Sequence, residues 1–587
     1  MPPATLSFFT QPIPVTRRRS GPGFAAPLTI TEQYDDDPVV AVRLGHPLAD
    51  RGFEFLMRDI LQAAMAPPSL DRWGESLLTP PTPEALERLL APYADAFVID
   101  HPAHPALQVR PAAARLAEAA AAKKPAGKRR SAPASEEDED SEEEDGLQPI
   151  ATLLPDAPTG EAVKQDSDFF VHRGAVTAIG AGAILPVLYA HMVLFPPGGG
   201  GYLGLPHGAD SIKFQMVGTT LWETLWLNVL TRNAQGMGDA PWPAPADAGT
   251  FPWLDAGLAD LPLGRRDPAA KRIMERAQVH PAHIPMPRRY RLAPPEPGRC
   301  SLTGMDGPVF TGYSRWPQGL AYQPRGWWAP FAVRIDLVEK PAEPPRFLRA
   351  RGPLRFDDWL ETALRKEDTI IGKGATAKRR QPPPVLRQFL SAAETHPHII
   401  TALSQRTGTA TTALAEGGAL RVRACAQFLY SKAVGGMSQR ELPVFHLPPE
   451  VRDWLGQETA RTLERVGAMA GCLAAAARNA HRLGRREGAA AVADHLRNGL
   501  MAAMDGPVLD GIARLADAIR TTPEEQARFT AANRVRGDIL AQARTTAIDL
   551  YDGAFPVTGT GAKDSLLAEE RALLIVRLSV IFTTGTQ

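Results

Sequence analysis

From about Pro448 to the carboxy terminus, alanine and leucine recur at helical spacing through four long runs, residues 450–483, 489–519, 523–551 and 564–581, with short polar breaks between them. Runs of that length need an apolar stripe covered by neighbours, and glycines 484 and 553 punctuate them. Four such segments in succession predict an antiparallel four-helix bundle over residues 447–587. Gly506-Pro507 falls inside the second run and should kink or split it, because proline brings no amide hydrogen and its ring crowds the preceding turn.

Residues 1–446 follow another pattern. Helical spacing is evident at 53–65 and 83–90, strand-like alternation at 211–217 and 331–338, and residues 240–385 are crowded with Pro and Trp. Thr220 and Glu223 form an S/T-x-x-E capping signature at the start of a helix expected over 219–230. The apolar stretch 178–194 contains Pro186 and His191, is too short to span a bilayer, and reads as a buried helix. The fold class expected is α+β: a large, irregular mixed amino-terminal domain over 1–446, then the bundle. At 587 residues, with 44% hydrophobic and 22% charged side chains, the chain is a soluble multi-domain protein. No secretory signal opens it, and three scattered cysteines, Cys300, Cys425 and Cys472, fit a reducing cytoplasm better than a disulfide framework.

The formal charge is zero, but residues 136–145 (EEDEDSEEED) hold nine acids and no base, so the remaining chain carries nine more bases than acids. The surrounding segment 117–146 has little to bury and is expected to be a disordered charged insertion. A basic body suits a polyanionic partner. Basic clusters able to meet phosphates lie at 17–19, 265–266, 288–289 and 378–380.

Enzyme signatures are weak. Gly372-Lys373-Gly374 lacks the rest of a phosphate-binding loop, and Gly199, Gly201 and Gly204 fit G-x-G-x-x-G but precede a strand instead of a helix. Two His-Pro-Ala-His copies, 101–104 and 280–283, could supply imidazoles to a metal-dependent hydrolase, yet proline prevents helical presentation and neither copy includes a carboxylate. Asp35-Asp36-Asp37 fits either Mg²⁺ or an acidic turn. Binding is better represented. Gly198, Gly199, Gly200 and Gly201, flanked by Pro197 and Tyr202, place four residues without Cβ in a row, which lets main chain approach a surface such as a narrow minor groove.

Several strings in order resemble the CasA family, the large subunit of the type I-E CRISPR surveillance complex Cascade. They are PIPV at 12–15, LAPYADAFVIDHPAHPALQ at 90–108, FFVH through GTTLWETLWLNVL at 169–230, HPAHIPMPRRYRL at 280–292, FTGY at 310–313, VLRQF at 385–389 and ELPVF at 441–445. The resemblance implies a subunit that is not an enzyme and uses no cofactor; some members carry a cysteine cluster near the position of Cys300, and with only that one cysteine here no metal site is expected. It would recognise the protospacer-adjacent motif (PAM) of target double-stranded DNA with a glycine loop, here Gly198–Gly201 and Tyr202. A wedge, here Arg387 and Gln388, would open the duplex. Phe170 matches an aromatic assigned to motif sensing and anchoring. A lysine that assists some members aligns with Pro317, leaving Arg315 as the nearest base. The implied partners are the CRISPR RNA 5′ handle region, target duplex, backbone and small Cascade subunits, and a helicase-nuclease, with no membrane involved. A scaffold that reads no duplex is the remaining alternative beside the hydrolase.

Overall fold

The structure, a computed structural model, describes residues 5–122, 147–157, 173–194, 211–239, 241–264, 267–274, 279–322, 329–339, 346–350, 352–364, 368–371, 377–406, 420–430, 433–444, 449–484, 488–522 and 524–586. The chain divides into two compact units, one drawn from 1–353, 367–407 and 420–439, the other from 354–366, 408–419 and 440–587. The second unit thus takes in a helix from mid-chain, Phe356–Ala363, that the sequence pattern assigns to the first.

In the first unit, the helix Pro47–Met65 begins six residues before the sequence pattern suggests, because His46 Nδ1 accepts from Leu48 N and Pro47 presets the first helical φ. It packs on the helix Ala181–Val193, which is buried on nearly all sides as its unbroken apolarity requires. Pro186 lies inside that helix. A Cβ at position 52 would sit 2.0 Å from the Pro186 carbonyl oxygen, so only glycine allows the two backbones to come this close.

Six small sheets of two to four strands occur among the described residues, as a chain so broken by proline and glycine dictates. The segment 211–217 forms the strand Lys213–Val217, but all five side chains are buried instead of alternating. One edge pairs antiparallel with Arg421–Cys425, and the other is covered where Phe214 N donates to Phe331 O and Ile212 N to Leu348 O. The helix after it has the capping box, with Thr220 Oγ1 accepting from Glu223 N at 3.1 Å and Glu223 Oε2 accepting from Thr220 N at 3.1 Å. It ends at Trp226, four residues earlier than its pattern suggests. Asn228 ends it by turning its amide to the strand, accepting from Met216 N and donating to the Met216 and Thr224 carbonyls. Trp222 and Trp226 stack at 5.3 Å, and the Trp73 and Trp226 indoles each donate to the other's carbonyl.

The alanine run entering the charged insertion is a helix, Ala113–Ala122, which corrects the expectation of disorder for 117–122; alanine has the highest helix propensity. Residues 123–146 lie outside the described residues.

In the second unit, five helices follow in order: Pro449–Gly484, Ala489–Ala503, Asp505–Thr521, Glu525–Ala554 and Ala562–Thr586. The second predicted segment is therefore split at Met504, with Pro507 in the first turn of its second half, where a missing amide costs nothing. Val466, Met469, Ala470, Leu473, Ala476, Ala477 and Ala480 form the buried stripe of the first helix. Asp505 ties in the mid-chain helix by accepting from Phe356 N at 2.9 Å. No helix among the described residues is long and apolar enough to cross a membrane.

Candidate nucleic-acid interface

The glycine segment Gly198, Gly199, Gly200, Gly201 and Tyr202, together with Phe170, lies outside the described residues. Its supports are described: the chain enters from the buried helix Ala181–Val193 and leaves into the strand Lys213–Val217. Against that strand packs the helix Pro384–Thr395, which carries the two wedge candidates in its first turns.

The two candidates face opposite ways. Gln388 is buried: its Oε1 accepts from Thr231 N at 2.8 Å and its Nε2 donates to Val229 O at 3.0 Å. In this arrangement it clamps the helix to the segment that follows the strand, and inserting it into a duplex would break both bonds. Arg387 points outward, with its side chain 45% exposed, and donates from Nη2 to Asp368 Oδ1 at 2.8 Å. Beside it runs the basic strand Lys378–Gln381, paired antiparallel with Arg334–Leu337 and Thr369–Ile371. Asp368 was invisible to motif reading, since a lone acid in a loop carries no signature.

Arg315 does not join this group. It lies on the strand Gly312–Trp316 opposite Tyr290, half-buried, where its charge adds to that of Arg288 in keeping His191 neutral. His191 is buried, and its Nδ1 lies 3.0 Å from Tyr290 Oη and 3.2 Å from Arg288 Nη1. Burial first, then these two guanidiniums, hold its pKa well below the ordinary histidine value. The Arg288-Arg289 pair, a phosphate candidate by sequence, is also internal. Arg288 donates to His191 O at 2.7 Å, while Arg289 donates to the carbonyls of Leu261, Pro262 and Pro317. Burial pushes the Arg289 pKa down to about 10. Arg17 is likewise occupied by the Glu32 and Asp37 carbonyls, and residues 265–266 lie outside the described residues.

The histidine motifs serve as loop fasteners. His101 and His104 stack with ring centroids 3.5 Å apart, their Nε2 atoms 3.6 and 3.4 Å from the Asp95 carboxylate, the one grouping of three potential metal ligands among the described residues. His101 Nδ1 accepts from Ala103 N and His104 N, which places the neutral ring's proton on Nε2 and leaves no lone pair there for a metal. In the second copy, His280 Nδ1 accepts from Ala282 N and its Nε2 lies 3.1 Å from Pro241 O; His283 contacts Gly249 O and Tyr322 Oη. Neither arrangement supports the hydrolase. Asp37 caps a hairpin turn by accepting from Arg19 N and Ser20 N. Cys300 and Cys425 are buried, and Cys300 packs with Ala178, Val309 and Leu302.

The family described as CRISPR-associated protein Cse1 matches residues 9–549. No curated protein sequence matches the chain. Among solved structures, Thermobifida fusca Cse1 superposes with a TM-score of 0.63 at 16% identity, covering 99% of this chain and 98% of that one. Cse1 from Acidimicrobium ferrooxidans gives 0.61 at 16% identity, with 100% and 99% covered. A chain of a structure described as a CRISPR RNA-guided surveillance complex gives 0.55 at 13% identity, with 97% and 100% covered.

Proposed function

This chain belongs to the CRISPR-associated protein Cse1 family, and from that membership we propose that it is the large, non-catalytic subunit of a type I-E CRISPR RNA-guided surveillance complex. Its task is to read the PAM of target double-stranded DNA and to help start the R-loop. The observation that carries this reading is the family match across residues 9–549, joined to a fold shared over 97% of the chain with a chain of a structure described as a CRISPR RNA-guided surveillance complex.

The division of labour is physically economical. Base pairing with the guide delegates most sequence discrimination to RNA, so the protein need recognise only a short duplex element. Gly198–Gly201 and Tyr202 supply a thin main chain that can enter a minor groove. The buried bonds of Gln388 support a role in anchoring the helix Pro384–Thr395, and the exposure of Arg387 supports its guanidinium as the wedge group that meets DNA. Phe170 helps anchor the subunit to the guide-bearing backbone. The CRISPR RNA 5′ handle, the backbone and small subunits and the helicase-nuclease are its partners, in the cytoplasm.

The test is a titration of the reconstituted complex, with and without this chain, on duplexes that share one protospacer and vary only in the flank. Tight binding is expected to require both the chain and one flank. Gly199→Asp and Gly200→Asp, which add bulk and negative charge where main chain meets phosphates, are expected to weaken target binding by about a hundredfold or more while the complex still assembles. Flank-independent binding that survives both substitutions would reduce the subunit to a scaffold.

A further inference from the structure

Two elements of the first unit send a guanidinium toward one carboxylate. Arg387, from the first turn of the helix Pro384–Thr395, donates to Asp368 Oδ1 at 2.8 Å, and Arg379, from the strand Lys378–Gln381, places Nε 4.0 Å from Asp368 Oδ2. The side chains are 45%, 47% and 37% exposed, so all three reach solvent. Among the described residues, Asp336 stands opposite Arg379 in the sheet but is engaged by Arg334 Nε at 3.1 Å and by Gln381 Nε2 at 3.3 Å. Among the described residues here, Arg334, Arg379 and Arg387 thus outnumber Asp336 and Asp368.

A guanidinium holds a carboxylate and a phosphate through the same planar N–H donors, so arginines gathered round an internal carboxylate are also arranged for a phosphate oxygen. We propose that Arg379 and Arg387 form a site for one backbone phosphodiester of a nucleic acid, and that Asp368 is the internal anion this phosphate displaces. An exposed ion pair contributes little to stability, so the exchange costs little. The phosphate also releases condensed counterions on binding, which a side-chain carboxylate cannot do. Before nucleic acid arrives, Asp368 keeps both arginines extended toward the site and lowers the local positive potential that would otherwise attract any polyanion. The proposal rests on the reading of this subunit as a nucleic-acid binder and adds a contact to it.

The purified full chain is titrated with a short DNA duplex, and separately with single-stranded RNA of equal length, over a series of salt concentrations. Asp368→Asn is expected to tighten binding about three- to tenfold at low salt and to steepen the salt dependence, because it frees two cations for phosphate. Adding Arg387→Gln to Asp368→Asn should abolish the gain. Glu75→Gln, an equally simple charge removal at the exposed Arg72–Glu75 pair, should leave affinity unchanged. Thermal melting of each variant is expected to match the parent, since every altered side chain is solvent-exposed. A gain on duplex alone assigns the phosphate to target DNA, a gain on RNA alone to the guide, and a gain on both supports the shared chemistry. Unchanged or weaker binding by Asp368→Asn, or an equal gain from Glu75→Gln, overturns the proposal. Flank-independent binding by the assembled complex would defeat the motif-reading function while leaving a positive Asp368→Asn result intact, so the two failures are distinguishable.

Discussion

The helices Pro47–Met65 and Pro449–Gly484 are both long and both largely covered, yet they are held by different physics. The second buries a stripe of Val, Met, Leu and Ala at three- and four-residue intervals through its length, and its buried polar residues, Arg452, Glu458, Thr459 and Thr462, are confined to its amino-terminal half, where Glu458 pairs with Arg536. The first buries Arg51, Glu54, Arg58 and Gln62, which bond one another within the helix and also reach partners far away in sequence. Glu54 takes Arg51 at 2.6 Å and Arg423 at 3.0 Å; Arg58 Nε donates to Asn228 O at 2.7 Å; Gln62 bonds both the amide and the carbonyl of Leu230. An apolar stripe tolerates many sequences of similar volume, whereas a buried charge needs its particular partner.

Glu54→Gln puts the largest strain on that contrast. It keeps the shape and removes the negative charge between two buried guanidiniums, so urea denaturation should show a loss of about 3–5 kcal/mol in the first unit. A loss below about 1 kcal/mol, the range of exposed pairs, would mean that water reaches this network and that the two helices are held alike.

The same contrast decides how much could be read in advance. The bundle was legible because helical periodicity is a local signal, and even its break at Met504, just ahead of Gly506-Pro507, follows from one residue's chemistry. In the first unit local signals succeeded where they were self-contained, as in the helix Pro83–Leu90 and the Thr220/Glu223 cap. They failed where a distant partner intervened. The strand Lys213–Val217 is buried throughout because elements distant in sequence, the helix Pro384–Thr395 among them, pack on it, and Arg288 and Arg289 read as phosphate contacts until backbone carbonyls are seen to surround them. At the candidate interface the sequence pointed to Arg387 and Gln388, but only the fold separates the exposed member from the clamped one. Asp368 had no signal at all.

A buried histidine sharpens the comparison through pH. His191 belongs to the first unit and is held neutral, with a pKa well below the value near 6.5 that it recovers on unfolding. Below pH 6.5 the unfolded chain binds a proton that the folded chain refuses, so stability falls as pH falls, and full stability is regained above that value. The slope due to this one group is at most about 1.4 kcal/mol per pH unit. Unfolding of the first unit measured from pH 7.5 down to 5 should show it, and His191→Gln should flatten it whatever it does to stability at pH 7.5. An unchanged slope would place the acid sensitivity elsewhere.

The smallest effect has the opposite sign and tests the bundle's tolerance directly. Gly52, in the first unit's helix, has no room for a methyl group against the Pro186 carbonyl. Gly471, exposed on the helix Pro449–Gly484, has nothing within 4 Å of where a Cβ would stand. Gly471→Ala therefore adds no clash and removes backbone freedom from the unfolded chain, and should raise the bundle's stability by about 0.5–1 kcal/mol. Differential scanning calorimetry of the full chain would register this as an upward shift of one transition. If that face of the helix is as unconstrained as its geometry requires, the assembled complex should form with the same affinity for the variant chain. A stabilised chain that assembles poorly would instead reveal that Gly471 lies where another subunit's backbone approaches, and the bundle would then need a close contact of the kind that Gly52 makes inside the first unit.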